Sequence, residues 1–143
     1  DFAYQDTLTD AEIIHILITK GIQKTHETTT LTLWGTGSPY REFLHSDDLA
    51  DALFYMMLNY SDTTHLNIGT GKDISIKELA FIIKEIVGFE GSIEWDTTKP
   101  DGTPKKLLNV SRLSDIGWKN KISLTEGIDL AFFDYLSFNK KDN

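Results

Sequence analysis

The chain has 143 residues, no cysteine, and a net charge of −8 from 22 acidic and 14 basic side chains. That length suits one domain, residues 1–143, with a real core; the missing thiols exclude disulfides and thiolate metal sites, and the acidic balance opposes nucleic acid or anionic lipid as partners. The lack of cysteine fits a reducing compartment, with cytoplasm the expected default, and apolar runs such as Ile13 to Ile18, interrupted by His15, are far too short to span a membrane, so no membrane targeting is expected.

Thr9-Asp10-Ala11-Glu12 has capping-box spacing ahead of Ile13, Ile14, Leu17, Ile18 and Ile22, which predicts a helix, although the β-branched alternation also admits a strand. Leu31 and Leu33 alternate with threonines into Gly35 and Gly37, the pattern of a half-buried strand ending in a turn. A second strand is expected over Arg41 to His45. Ser46 or Asp47 then caps a helix whose core face is expected at Leu49, Ala52, Leu53, Met56 and Met57.

His65 to Ile68 reads as a short strand, followed by the tight Gly69-Thr70-Gly71 connection. Ser75 and Glu78 form a second capping box, and Leu79, Ala80, Ile83, Ile86 and Val87 give a helical apolar stripe that stops at Gly88. Ser92 to Asp96 alternates as a strand, and Ser111 starts a short helix ending at Gly117. Ser123-Leu124-Thr125-Glu126 repeats the capping box before a terminal helix with Leu124, Ile128, Ala131, Phe132, Tyr135 and Leu136 on its apolar side; the aromatics near Phe132, Phe133 and Tyr135 read as core.

Between the strand ending at Asp96 and the helix at Ser111 lies Lys99-Pro100-Asp101-Gly102-Thr103-Pro104-Lys105-Lys106-Leu107-Leu108-Asn109. Two prolines and a glycine keep it from being a helix or a central strand, and three lysines supply donors it cannot neutralise internally, so it is suited to meet an anion. Gly35-Thr36-Gly37 and Gly69-Thr70-Gly71 lack the third glycine and the parallel-sheet setting of a dinucleotide loop, and are read as turns. The four histidines have no paired spacing, so no metal site is expected.

Together with Trp34-Gly35-Thr36-Gly37-Ser38-Pro39-Tyr40-Arg41-Glu42-Phe43-Leu44-His45-Ser46-Asp47-Asp48, the lysine-rich loop resembles the C-terminal half of GDP-L-fucose synthases, NADPH-dependent epimerase/reductases that act on GDP-4-keto-6-deoxy-mannose. Asn67-Ile68-Gly69-Thr70-Gly71, Val110-Ser111-Arg112-Leu113 and Gly117-Trp118 extend the likeness in the same order. The resemblance implies a small mixed α/β substrate-binding domain of an extended short-chain dehydrogenase/reductase, with the NADPH-binding Rossmann domain and its catalytic Tyr/Lys pair outside these residues. It further implies a GDP-sugar substrate, no cofactor or metal held by this part alone, and a homodimeric full-length enzyme.

Carried over residue by residue, the resemblance assigns substrate contacts to Lys20, Trp34, Arg41, Asp101 and Lys106. Arg41 offers a planar fork to two phosphate oxygens, against an ion pair with Glu42 or Asp48 as its structural alternative. Lys106 neutralises diphosphate charge, while Asp101 either accepts from a ribose hydroxyl or holds the loop through backbone N–H groups. Trp34 covers a sugar or base or fills the core, Lys20 is a point charge for phosphate or a solvated helix residue, and Lys99 and Lys105 are solvated neighbours. Glu12 stands where relatives carry an acid/base histidine; its cap role is the simpler one, with His15 one turn on. Two alternatives stay open: a related GDP-4-keto-sugar reductase with little or no epimerase activity, and a stand-alone nucleotide-sugar-binding module.

Overall fold

The computed structural model describes residues 30–139, so the helix expected after Thr9, and with it Glu12, His15 and Lys20, lies outside the described residues. In chain order the elements are β1 (Thr30–Trp34), β2 (Tyr40–Glu42), α1 (Ser46–Asn59), β3 (Asp73–Ser75), α2 (Ile76–Val87), β4 (Ser92–Asp96), β5 (Lys105–Lys106), α3 (Ser111–Asp115) and α4 (Leu124–Asn139). They group into two compact units made of alternating stretches of chain. The first takes the residues up to Tyr40 and Ser75–Lys105; the second takes Arg41–Ile74 and the residues from Lys106 on. The short strands β2, β3 and β5, in sheet order β3-β2-β5, are where the chain passes from one unit to the other.

In the first unit, β1 buries Leu31 and Leu33 and exposes the threonines between them, the period-two pattern of a half-buried strand. It pairs in parallel with β4, Thr30 opposite Ser92 and Trp34 opposite Asp96. The parallel setting was not expected from the sequence. After β1, however, the chain enters no helix but passes through the Gly35-Thr36-Gly37 turn into β2.

Helix α2 has the stop signals its sequence announces. Ser75 Oγ accepts from the Glu78 N–H at 3.2 Å, and the Glu78 carboxylate accepts the Ser75 N–H at 3.1 Å and its hydroxyl at 2.6 Å, a complete capping box. At the far end Gly88 takes φ 67°, where a side chain would be strained, and the Phe89 N–H reaches the Lys84 carbonyl at 3.0 Å. Two N-terminal amides without intrahelical acceptors, those of Ile76 and Lys77, donate to the Pro39 and Gly37 carbonyls. Ile76, Leu79, Ala80, Ile83 and Val87 are buried; the stripe is the unit's helical core face.

The core of the second unit is Ala52, Leu113 and Trp118, with Leu44, Tyr55, Met56, Leu66, Ile68, Val110 and Ile116 packed around it. Here the sequence expectation for α1 is corrected. Ala52 is buried and Met56 partly so, but Leu49, Leu53 and Met57 are exposed, Met57 at 81%. The inner face instead carries Asp48, Ala52, Tyr55 and Met56, because polar anchors set the helix's rotation. Asp48, 2% exposed, accepts the backbone N–H groups of Lys121 and Ile122, at 3.0 and 2.9 Å. Asp51 accepts the Trp118 indole N–H at 2.8 Å and pairs with Lys121 at 2.9 Å, and the Tyr55 hydroxyl donates to the Ile116 carbonyl at 2.8 Å.

Other expectations shift as well. The strand expected from Arg41 to His45 spans only Tyr40–Glu42, and the cap of α1 is His45, whose Nδ1 accepts the Asp47 N–H. Nδ1 also lies 3.9 Å from the Asp47 carboxylate. His65 to Ile68 is not a strand: the Asn67 side chain donates to the Asn109 carbonyl, and Arg112 donates to the His65 carbonyl. Ser111 does start α3, its N–H held by Asn109 Oδ1 at 3.0 Å, and the helix stops at Asp115, two residues before Gly117. On α4, Ile128 is buried and Phe132 and Tyr135 partly so, but Ala131 and Phe133 are exposed, so Phe133 is not core.

Candidate functional site

In the first unit the lysine-rich loop folds onto the turn that comes after β1. Asp101 accepts the Thr36 N–H at 2.8 Å through Oδ1 and the Thr36 hydroxyl at 2.7 Å through Oδ2, with the Ser38 hydroxyl 3.4 Å from the same oxygen. Of the two sequence readings for Asp101, the geometry displays the loop-holding one. These donors, the Thr36 hydroxyl first, hold the Asp101 carboxyl below its ordinary range. The turn is closely filled: a Cβ on Gly35, at φ 79°, would fall 2.4 Å from Asp101 Oδ1, and one on Gly37, at φ 73°, 2.5 Å from the Trp95 ring.

Trp34 ends β1 half-buried, and the Lys99 ammonium lies 5.1 Å from its ring centroid. Lys99 is therefore a cation–π partner and not merely a solvated neighbour, a contact worth about 0.5–1 kcal/mol at an exposed position. Lys105 stands likewise over the Tyr40 ring, at 6.0 Å. Asp96 accepts from the Thr98 hydroxyl and N–H, which start the loop with a tight turn and hold that carboxyl low.

In the second unit Arg41 is half-buried on β2 and Lys106 exposed on β5, and these strands are neighbours. Glu42, beside Arg41, organises the backbone around them. Its Oε1 accepts the Gly71 N–H at 2.6 Å and lies 3.2 Å from the Thr70 hydroxyl; its Oε2 accepts the Leu108 N–H at 2.9 Å. A Cβ on Gly69 would fall 2.5 Å from Oε1, so a side chain there would have to displace the carboxylate. Sequence reasoning assigned Glu42 no function. The signal was present in a Gly-Thr-Gly turn with no ligand to explain its first glycine.

The two Gly-Thr-Gly turns thus share one construction. In each, a carboxylate from elsewhere in its own unit takes a backbone N–H and faces the threonine hydroxyl, the second glycine has positive φ, and the first leaves room for the acid. A dinucleotide pyrophosphate needs such amides for itself and would meet a fixed negative charge, so neither turn fits that group. Among the described residues, no cluster of His, Cys, Asp or Glu could hold a metal ion, and no helix is long and apolar enough to cross a membrane.

The arrangement of elements is the mixed α/β one of the extended short-chain dehydrogenase/reductases, and the NAD dependent epimerase/dehydratase family model matches residues 9–69. The chain is similar to GDP-L-fucose synthases. It is 53% identical over 106 residues to GDP-L-fucose synthase 1 of Arabidopsis thaliana, covering 74% of this chain and 33% of that protein. With the GDP-L-fucose synthase of Sinorhizobium fredii it shares 44% over 137 residues, 95% of this chain and 43% of the relative. Among solved structures, a GDP-mannoheptose C4 reductase from Campylobacter jejuni with NADP bound superposes with a TM-score of 0.70 at 36% identity, over 90% of this chain and 43% of that one. The resemblance read from the motifs is borne out, and the chain spans less than half the length of these relatives.

Proposed function

We propose that residues 1–143 are the nucleotide-sugar-binding domain of a GDP-L-fucose synthase-like, NADPH-dependent epimerase/reductase converting GDP-4-keto-6-deoxy-mannose to GDP-L-fucose. The identity with the Sinorhizobium enzyme over 95% of the chain carries this reading, since that span takes in both substrate motifs. In it, Arg41 and Lys106 bind the diphosphate from neighbouring strands, Trp34 and Lys20 contact the nucleotide sugar, and Asp101 shapes the loop rather than the substrate. NADPH supplies the hydride from a Rossmann domain elsewhere in a homodimeric, cytoplasmic enzyme.

The likeness to a C4 reductase, with Glu12 at the usual histidine position, favours a second reading in which reduction occurs with little or no epimerisation. The full-length gene product, given GDP-4-keto-6-deoxy-mannose and NADPH in deuterated water, distinguishes the two. GDP-L-fucose carrying solvent deuterium at the epimerised carbons supports the first, and an unepimerised product without it the second. No NADPH oxidation with any GDP-4-keto sugar would refute both and leave a stand-alone binding module.

A further inference from the structure

We propose that Glu42 is the positioning residue of the diphosphate-binding cations, its carboxylate fixing the backbone that carries Lys106 against the strand that carries Arg41. The inference rests on the diphosphate reading above. Glu42 belongs to β2 next to Arg41, and its Oε2 takes the N–H of Leu108, two residues beyond Lys106. Its Oε1 takes the N–H of Gly71, so one side chain ties together three segments that no long strand unites.

Electrostatics argues that this tie is why an acid stands there. A negative charge beside two cations lowers the potential offered to a diphosphate, so as a bystander Glu42 opposes binding. Its two oxygens are instead engaged by amide donors from two separate segments, and Gly69 leaves the space they need. Glutamine fits the volume but offers one acceptor oxygen; its NH2 would face an N–H, and one of the two ties breaks.

The sign of one substitution separates these roles. In the full-length gene product, titrated with GDP, Glu42→Gln as a positioning variant weakens binding by about tenfold or more, as loss of a charge-assisted hydrogen bond does. As a bystander it strengthens binding. Gly69→Ala, which displaces the carboxylate without removing its charge, is expected to weaken GDP binding in the same sense and covers the case of a poorly folded Glu42→Gln. The Leu108 amide, followed by hydrogen exchange without ligand, is expected to lose protection in both variants while the Leu79 amide of α2 keeps it. GDP binding that Arg41→Ala weakens but that Glu42→Gln and Gly69→Ala leave unchanged or strengthen would overturn the Glu42 proposal alone. Absence of GDP binding by the unaltered protein would overturn the diphosphate reading and this proposal with it.

Discussion

Gly35 and Asp101 stand so close that a single added carbon on the glycine would fall 2.4 Å from the aspartate's Oδ1. The glycine's positive φ and the aspartate's two bonds to Thr36 form one device, in which β1's turn and the lysine-rich loop specify each other. Gly35→Ala combines left-handed strain with the clash and is expected to destabilise the protein by about 1–2 kcal/mol or more. Asp101→Ala is expected to cost about 1 kcal/mol, its solvent exposure keeping the figure small. Urea unfolding of both variants and the double variant should show less than additive losses, since each removes the same contact.

Asp48 should be the more sensitive carboxylate. It is almost fully buried, and its loss leaves the Lys121 and Ile122 N–H groups without their acceptor. Asp48→Ala is expected to lower stability by about 2–4 kcal/mol, whereas Asp47→Ala, at an exposed position on the same helix, should stay within about 0.5 kcal/mol. Denaturant midpoints compare the two directly.

Acid should weaken the fold from several places at once. Asp51, held low first by Lys121, Asp62 by Thr64, Glu78 by Ser75, Asp96 by Thr98 and Asp101 by Thr36 all have folded-state pKa values below their ordinary 3.8 or 4.5. A lowered folded pKa means the unfolded chain binds protons first as pH falls, so these contributions are complete above about pH 4.5 and are lost below it. Thermal midpoints from pH 7 to 3 are expected to be level near neutrality and then fall. Asp101→Asn should flatten the acid limb; an unchanged limb in that variant would remove Asp101 from the set.

In the full-length enzyme, Arg41→Ala and Lys106→Ala are each expected to weaken GDP-sugar binding by about 1.5–3 kcal/mol, the range for hydrogen bonds to charged groups. Calorimetry with GDP and with guanosine separates the effect, since guanosine lacks the diphosphate and should not register either change.

Glu12→Gln tests whether the carboxylate caps a helix or moves protons. As a cap, glutamine keeps a hydrogen-bonding partner and activity stays nearly unchanged; as an acid/base group, its loss slows solvent exchange at the epimerised carbons by about 10²–10⁴-fold. The cap outcome is expected, and deuterium incorporation by the two enzymes decides it.

Capping signals were the most legible part of the sequence, because Ser75, Glu78 and Gly88 act through neighbours in the chain and need no tertiary partner to be recognised. Helix α1 was misoriented for the opposite reason. Leu49, Leu53, Phe54, Met57 and Leu58 offer apolar character around most of the helix, so periodicity could not choose a face. The choice was made by Asp48, Asp51 and Tyr55 reaching residues 61 to 74 positions away. Asp48 on the inner face beside Ala52 was the available clue. His65 to Ile68 has strand-like composition, but its polar contacts run from the Asn67 side chain to the Asn109 carbonyl and from the Arg112 guanidinium to the His65 carbonyl, and no pattern of apolar alternation encodes that. Of the candidate site, the cations were visible as residue types and Asp101 as a residue with two possible roles; Glu42 was not, since it acts on a turn 28 and 29 residues distant.

The three tryptophans of the sequence fall on different sides of the division between the units: Trp34 and Trp95 in the first, Trp118 buried with Ala52 and Leu113 in the second. Their surroundings differ as well, an ammonium over one ring, a glycine turn against another, and a carboxylate on the third's indole N–H. The protein therefore contains its own pair of optical gauges. With Trp118 changed to phenylalanine, intrinsic fluorescence reads the first unit alone; with Trp34 and Trp95 changed, it reads the second, and the melting of each can be timed without attaching a dye.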